Sequence, residues 1–431
     1  MKIAIIGAGV AGLTAAYELA RAGRQVTVFE AAHVAGGLAS GFRDERWEWP
    51  LERFYHHIFQ TDTAIIKLAE TIGFGDRLFF RGQVTAQWWR GRGYDLNGPL
   101  QVLRFPALPL HDRLRFGAVA FYLKYVTANW RRLERTTAAQ WTSRWAGRRV
   151  YEVLWRPLLE GKFGPHADEV NMAWLWARLK ARSFKLGYFV GGFQAFCDAL
   201  LATVRRLGVE VRLRSPVTAA RQLRGGWEVI APGMPAEHYD QLLVTGAPGL
   251  LAKLAPQLPA DYLGRLRELR SMGAVVMTLA LTRPLTDGLY WVNMPKDQFP
   301  YLALVEHTNF VEPEHYGGDR LIYLGDYLEP DHEYFRLSHE ELLGRFLPSL
   351  KLVNPDFERG WVRASWLHRE RYAQPIAPVG HSASIPPLRT PLAGLYWASM
   401  SQVYPWDRGT NFAVELGQRV AVEMLAGRQS V

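Results

Sequence analysis

Three features of the sequence predict an α/β fold organised around a nucleotide-binding parallel sheet. The chain opens with MKIAIIGAGVAG, an apolar run from Ile3 to Ile6 that breaks into Gly7, Gly9 and Gly12 before a helical pattern begins. A second short strand, Gln25 to Phe29, ends at Glu30, which lies 23 positions beyond Gly7. Strand, glycine turn and helix then recur in YFVGGFQAFCDALLATVRRLG and close to the C-terminus. In the first of these units the glycines have separate jobs. One permits a tight bend, one lets the backbone approach a pyrophosphate, and one lets the helix lie close to the strand. The freed N–H groups and the positive end of the helix dipole then face the phosphates. A carboxylate about 20 residues on is placed to accept hydrogen bonds from a ribose diol. Together they predict an adenine dinucleotide on a Rossmann-like domain.

The segment after Glu30, AAHVAGGLAS, carries a Gly36–Gly37 doublet followed by Leu38, and the chain closes with GLYWASMSQVYPWDRGTNFAVELGQRVAVEML, Gly394 to Leu425. These stretches resemble the two ends of the flavin-containing amine oxidase superfamily, which includes protoporphyrinogen oxidases, phytoene desaturases and UDP-galactopyranose mutases. The resemblance spans nearly the whole chain and implies FAD as the dinucleotide. It implies a closing helix aimed at the flavin ring, with Thr410 or Asn411 as its cap and the Asn411, Phe412 and Ala413 amides near the N1/C2=O edge. It makes Val217 the residue that meets the adenine, and the strand ending at Pro248 the next of the nucleotide sheet. There are departures. Ser399 and Met400 stand where the family usually has glycine and an acid touching the ribityl-pyrophosphate, and Leu38 stands where an arginine is common. No lysine occurs between Lys253 and Lys296, so the lysine that many amine oxidases bring to the flavin from the substrate sheet is missing.

The resemblance implies a division of the chain into a discontinuous FAD-binding domain (1–85, 186–250 and 388–431), a helical insert (86–185) and a mixed-sheet substrate domain (251–387). The insert is rich in tryptophan, arginine and leucine, and Pro99, Pro106, Pro109, Pro157 and Pro165 punctuate it. Its stretch 101–135 sets Leu108, Leu110, Leu114, Phe116, Phe121, Tyr122 and Tyr125 among arginines. Such a segment is either a core-facing helix or an amphipathic one lying on a membrane surface. In protoporphyrinogen oxidases the insert holds a hydrophobic channel, which implies peripheral membrane contact.

Composition bounds the partners. At 48% hydrophobic and 21% charged the chain is globular. The single Cys197 excludes an internal disulfide and fits a reducing, cytoplasmic setting. No stretch reaches the ~18 apolar residues of a membrane span. The net charge is +10, and of the 51 basic residues nine are lysine and 42 arginine. They are spread along the chain without a nucleic-acid motif, so the expected acidic partner is a phosphorylated substrate or a phospholipid headgroup. With 16 Trp and 21 Phe, an apolar or amphipathic small molecule is the other expectation. The oligomeric state is not legible.

Four stretches are candidates for chemistry. WEWPLERFYHHIF supplies Arg53, Tyr55, His56 and His57; adjacent histidines on a strand point to opposite faces, so one at most faces the flavin. RPLLEGKFG places Lys162 on the insert. WLHRERYAQPIAPVGH contributes Tyr372, Gln374 and Pro375, in a segment that resembles the one beneath the flavin. Tyr404 and Trp406 precede the closing helix and are expected to wall the ring. His56, His57 and Tyr404 are the catalytic candidates; Arg53, Tyr55, Lys162, Tyr372, Gln374 and Trp406 are the substrate contacts. No nucleophile elbow or metal-ligand spacing occurs, and Asp326, Asp331, His332 and Glu333 read as a solvated loop. Two activities remain: hydride removal from an apolar or amphipathic substrate by FAD, and flavin-dependent sugar isomerisation of the UDP-galactopyranose mutase kind.

Overall fold

The computed structural model describes residues 1–427; residues 428–431, the end of the predicted FAD segment, lie outside the described residues. A five-stranded parallel sheet runs in the order Glu210–Arg212, Gln25–Phe29, Lys2–Ile6, Gln241–Thr245, Leu395–Ala398. Ile3 and Ile5 join the cluster formed with helices Val10–Arg21, Gly192–Arg206 and Thr410–Ala426, whereas Ala4 and Ile6 join the cluster on the other side. That second side is covered by the antiparallel sheet Ala219–Leu223, Gly226–Ile230, Glu237–Tyr239 and by helices Pro248–Leu254 and Ala260–Glu268. A central parallel strand is therefore buried on both faces, which is why it reads as an unbroken apolar run. Each fully buried Ile or Leu contributes about 1.5–3 kcal/mol. Helices Val10–Arg21 and Thr410–Ala426 approach so closely that a Cβ on Gly417 would stand 2.5 Å from the Ala11 carbonyl oxygen.

A seven-stranded mixed sheet forms the second lobe, in the order Val362–Pro375, Ser271–Leu281, Arg320–Leu328, Ala303–Glu306, Trp291–Asn293, Thr85–Trp89, Arg92–Asp95. In strand Ser271–Leu281, Val275, Met277, Leu279 and Leu281 pack with helix His339–Val353, while Val276 and Ala280 pack towards the nucleotide lobe. The insert has its own core, in which Phe163 meets Trp174 edge-on at 4.7 Å, and it joins the sheet through Ala274, Leu302 and Tyr327.

Two expectations change here. The helical insert does not begin at residue 86: Thr85–Trp89 and Arg92–Asp95 form a hairpin on the edge of the seven-stranded sheet, and the first insert helix is Pro99–Leu103. The alternating TAQWW pattern buries Ala86 and Trp88 in the sheet's core, which a helix would not do. Asp326 is not in a solvated loop. It lies in strand Arg320–Leu328, 1% exposed, paired with Lys296.

Candidate active site

The nucleotide end follows directly from backbone geometry. Gly7 has φ +106°, in the left-handed region, and a Cβ there would stand 2.3 Å from Thr245 Oγ1. A Cβ on Gly12 would stand 2.0 Å from the Gly7 carbonyl oxygen, so the turn and the helix touch through backbone alone. Gly9 is different: its Cβ would meet only Gly37 Cα, at 3.9 Å. Gly9 also bridges to Gly36, so the opening turn and the Gly36–Gly37 doublet form a single cradle, with Leu38 half-buried behind it. Helix Val10–Arg21 starts there without a side-chain cap or an acid in its first turn. Its amides are free for an anion, and the open space at Gly9 is where a pyrophosphate would lie. The Glu30 carboxylate is held at the strand's end by the Ala8 N–H (2.7 Å) and the Ala32 N–H (2.8 Å). The Ser215 N–H donates to the Glu30 carbonyl at 2.8 Å and brings the turn with Val217 alongside. These residues fit an adenine dinucleotide, which when bound as FAD supplies the redox chemistry itself.

At the closing helix the cap differs from expectation. Gly409 is the N-cap of Thr410–Ala426, and neither Thr410 nor Asn411 caps it. The Asn411 side chain instead accepts from the Ala64 and Ile65 N–H groups at 2.9 and 3.2 Å, capping the neighbouring helix Thr63–Thr71. The Ala413 N–H closes the first turn on the Gly409 carbonyl at 3.0 Å, leaving Asn411 and Phe412 as the open amides. Ser399 and Met400 begin the short turn before it, fixed by Gln402 Oε1 on the Ser399 N–H (2.8 Å). Tyr372 belongs to this turn: its hydroxyl lies 2.7 Å from Ser399 Oγ and 2.6 Å from Ser401 Oγ, so it ties sheet to flavin segment and is not free for a substrate.

The run after the doublet divides its side chains between two environments. Glu52 turns inward, 1% exposed, and accepts from the Tyr188 hydroxyl and the Phe193 N–H, both at 2.7 Å. Burial pushes its carboxyl up to about 7 despite those bonds. Arg53 lies beside His368, whose imidazole burial and that charge lower to about 4. Tyr55 stands edge-on to Trp291 at 4.8 Å, over Gly325, where a Cβ would be 2.7 Å from its ring. Burial lowers His56 to about 4 and, with Arg182 second, His57 to about 3, so both imidazoles are neutral near pH 7. His56 Nδ1 meets the Phe54 carbonyl at 2.5 Å, which orients the ring.

Beside these groups the three parts of the chain meet in one polar network. Asp407, from the closing segment, accepts from Trp174 Nε1 (3.2 Å), Gln374 Nε2 (3.1 Å) and the Arg178 guanidinium. Burial opposes its ionisation, but Arg178, Arg408 and Lys162 hold its carboxyl well below the usual carboxylate range. Arg408 donates to Gln374 Oε1 and to the Tyr327 hydroxyl and lies over the Tyr327 ring at 4.7 Å. Lys162 Nζ lies over the same ring at 4.5 Å. Its helix, Arg156–Phe163, sits close enough to the sheet that a Cβ on Gly161 would be 2.1 Å from Leu302 Cδ1. Burial, with Arg178 and Arg408 beside it, holds the Lys162 ammonium well below the usual lysine range.

Thus Tyr55, Lys162 and Gln374 lie around Tyr327 and Arg408, with His56 and His57 within the field of Arg408 and Arg178 respectively. Trp406 stacks between Trp176 (5.5 Å) and Phe412 (5.6 Å) next to the network. Tyr404 does not join it; its ring packs edge-on to His381 and Trp130, on the insert side. Arg178, Tyr327, Asp407 and Arg408 were not among the predicted residues. The one available signal was the charged pair Asp407–Arg408 inside YPWDRGTN, immediately before the closing helix.

Comparison with known proteins agrees with this geometry. Residues 10–425 match the family described as flavin containing amine oxidoreductase. An L-amino-acid oxidase of Bothrops jararacussu is 52% identical over 48 residues, 11% of this chain and 10% of that protein. The mouse L-amino-acid oxidase is 40% identical over 72 residues, 17% of this chain and 11% of that one. The chain thus matches only about a tenth of the length of these curated relatives. Among solved structures, a proposed protoporphyrinogen oxidase from Exiguobacterium sp. 255-15 superposes with TM-score 0.76 at 18% identity, covering 99% of both chains. A putrescine oxidase bound to putrescine gives 0.73 at 18%, with 99% of both chains covered. A reduced UDP-galactopyranose mutase gives 0.74 at 16%, covering 100% of this chain and 96% of that one. The chain belongs to the flavin containing amine oxidoreductase family.

Proposed function

We propose that the protein oxidises an amphipathic small molecule by hydride transfer from a substrate carbon to FAD. The observation that carries this reading is the convergence of Lys162, Arg178, Gln374, Tyr327 and Arg408 beside the aromatic groups Tyr55, Trp291 and Trp406. The charged groups would hold a polar end of the substrate, and the rings would cover an apolar body and exclude water. His56 and His57, kept neutral by burial, would line the reacting end without adding charge. In this division 1–85, 186–250 and 388–427 hold the cofactor and lend Tyr55, Trp406 and Arg408 to the substrate end, whose other groups come from the insert and the seven-stranded sheet. The same cluster of cations favours a second reading, isomerisation of a sugar nucleotide on reduced flavin.

The two readings separate in one experiment. Under anaerobic conditions an oxidisable substrate, from a panel of carboxylated tetrapyrroles, amines and polyprenyl phosphates, should bleach the flavin's visible absorbance. Sugar isomerisation would instead appear as turnover of UDP-galactopyranose by pre-reduced protein with no bleaching by any of the panel, and that result would overturn the first reading.

We also propose that the insert rests on an anionic membrane surface. No helix among the described residues is long and apolar enough to cross a membrane. Leu108 is buried, but Leu110, Leu114, Phe121, Tyr122 and Tyr125 are exposed, Phe121 and Tyr125 at 60% each. Lys124 lies over the Tyr125 ring, 5.8 Å from its centroid, and also near Phe184, itself exposed. Apolar rings flanked by cations suit the headgroup boundary. Phe121→Glu with Tyr125→Glu should abolish salt-sensitive binding to vesicles containing an anionic phospholipid. FAD content and the unfolding midpoint should be unchanged, because both side chains are already in solvent. Undiminished vesicle binding by the double variant would remove this surface.

A further inference from the structure

We propose that Lys162, Arg178 and Arg408 form a subsite for the phosphoryl group of a phosphorylated substrate. The inference rests on the reading that this cluster is the substrate site, and it names what the cluster binds. Three cations come from three separate elements: Lys162 from helix Arg156–Phe163, Arg178 from helix Met172–Ala181, and Arg408 from the turn before the closing helix. One carboxylate, Asp407, answers them. It is paired closely with Arg178, and its contact with Arg408 is longer, at 3.7 Å. The neighbouring Lys296–Asp326 pair is neutral as a unit and offers nothing to the balance.

Lys162 is the sharpest case. It is 5% exposed, and among the described residues its ammonium has no hydrogen bond or ion pair, only the Tyr327 ring at 4.5 Å. A buried ammonium with no anion bonded to it is costly, and a ring face with the more distant Asp407 offsets little of that cost. With the Lys162 amine protonated the network carries two positive charges more than it neutralises; burial beside Arg178 and Arg408 disfavours that proton, and a bound anion restores it. A carboxylate would balance one of them; a phosphoryl dianion balances both. The donors are suitable as well. Lys162 has three N–H groups uncommitted, and Arg408, with five, uses only part of its set on Gln374 and Tyr327. Trp406, stacked between Trp176 and Phe412, places an apolar wall next to the charges. The substrate class is an apolar or sugar body carrying a phosphate or diphosphate.

The test uses the FAD-loaded protein, so that the dinucleotide cradle is already filled. Pyrophosphate, inorganic phosphate and acetate are titrated by calorimetry at matched ionic strength. Pyrophosphate should bind saturably at one site and acetate should not. Lys162→Met should weaken pyrophosphate at least about tenfold, the effect of losing one charge-assisted contact, and Lys162→Arg should keep it. Both variants should retain FAD. Pyrophosphate should also raise the thermal midpoint of the unmodified protein, a measurement that stands even if Lys162→Met fails to fold. Equal pyrophosphate affinity in Lys162→Met, absence of saturable heat and midpoint shift, or binding of acetate in place of pyrophosphate would each overturn the proposal. Heat and midpoint need no turnover. A protein that binds pyrophosphate but is bleached by no substrate leaves the subsite standing and removes hydride transfer.

Discussion

Gly12→Ala is expected to yield protein that retains little FAD and unfolds at lower denaturant, whereas Gly9→Ala should lose FAD without losing stability. A methyl on Gly12 would stand 2.0 Å from the Gly7 carbonyl oxygen and 3.2 Å from its carbon. That carbonyl lies in a turn gripped by Thr245, whose hydroxyl donates to the Ile6 carbonyl at 2.8 Å, so no flexible group is present to yield. Overpacking of this kind costs about 1–3 kcal/mol, sometimes more. A methyl on Gly9 meets nothing closer than Gly37 Cα at 3.9 Å, and Gly9 has φ −69°, which alanine adopts freely. Its Cβ would enter only the space left for the pyrophosphate. The flavin-to-protein ratio after desalting, with urea midpoints of the flavin-stripped proteins, distinguishes the two. Full FAD retention by Gly9→Ala would move the pyrophosphate away from this turn.

Asp407→Asn is expected to lower the folding free energy by about 3 kcal/mol, the lower part of the range for breaking a buried ion pair. The side chain is 14% exposed and stands between Arg178, Trp174 and Gln374. An amide keeps one acceptor but turns N–H groups towards a guanidinium that donates as well. Removing the charge also leaves Arg178, Arg408 and Lys162 together without a counter-ion. The sign of the pH dependence follows. A carboxyl held below its unfolded value contributes stability that is present above about pH 4 and lost as pH falls further. The stability gap between the native protein and Asp407→Asn should therefore be widest near neutrality and should close in acid. Denaturant midpoints across that range measure it, and a gap independent of pH would show that the charge contributes nothing.

How much of this was legible depends on how local each feature is. Gly7, Gly9, Gly12 and Glu30 are set by the demands of one turn and one strand end, so their spacing alone specified a dinucleotide site. The runs IAII and VVMTLALT announced buried strands because both of their faces are covered. Gly36–Gly37 and the closing helix were read from resemblance, and the cradle they form is seen only once Gly9 and Gly36 are paired. The cap was misread because Asn411, next to a helix start, suits capping, yet Thr63–Thr71 packs beside it and takes its side chain. Asp326 was misread because a buried strand acid paired with a lysine from a turn is indistinguishable from a loop acid until Lys296 is placed.

The sequence by itself determined the Rossmann-like core and its opening dinucleotide turn, since those depend on backbone shape and on residues close together in the chain. The tertiary structure decided the chemistry of the substrate end. Lys162, Arg178, Tyr327, Gln374 and Arg408 are far apart in sequence and come from four elements and a turn. A charge acquires its meaning from what it is buried against. Only packing reveals that three cations share one carboxylate.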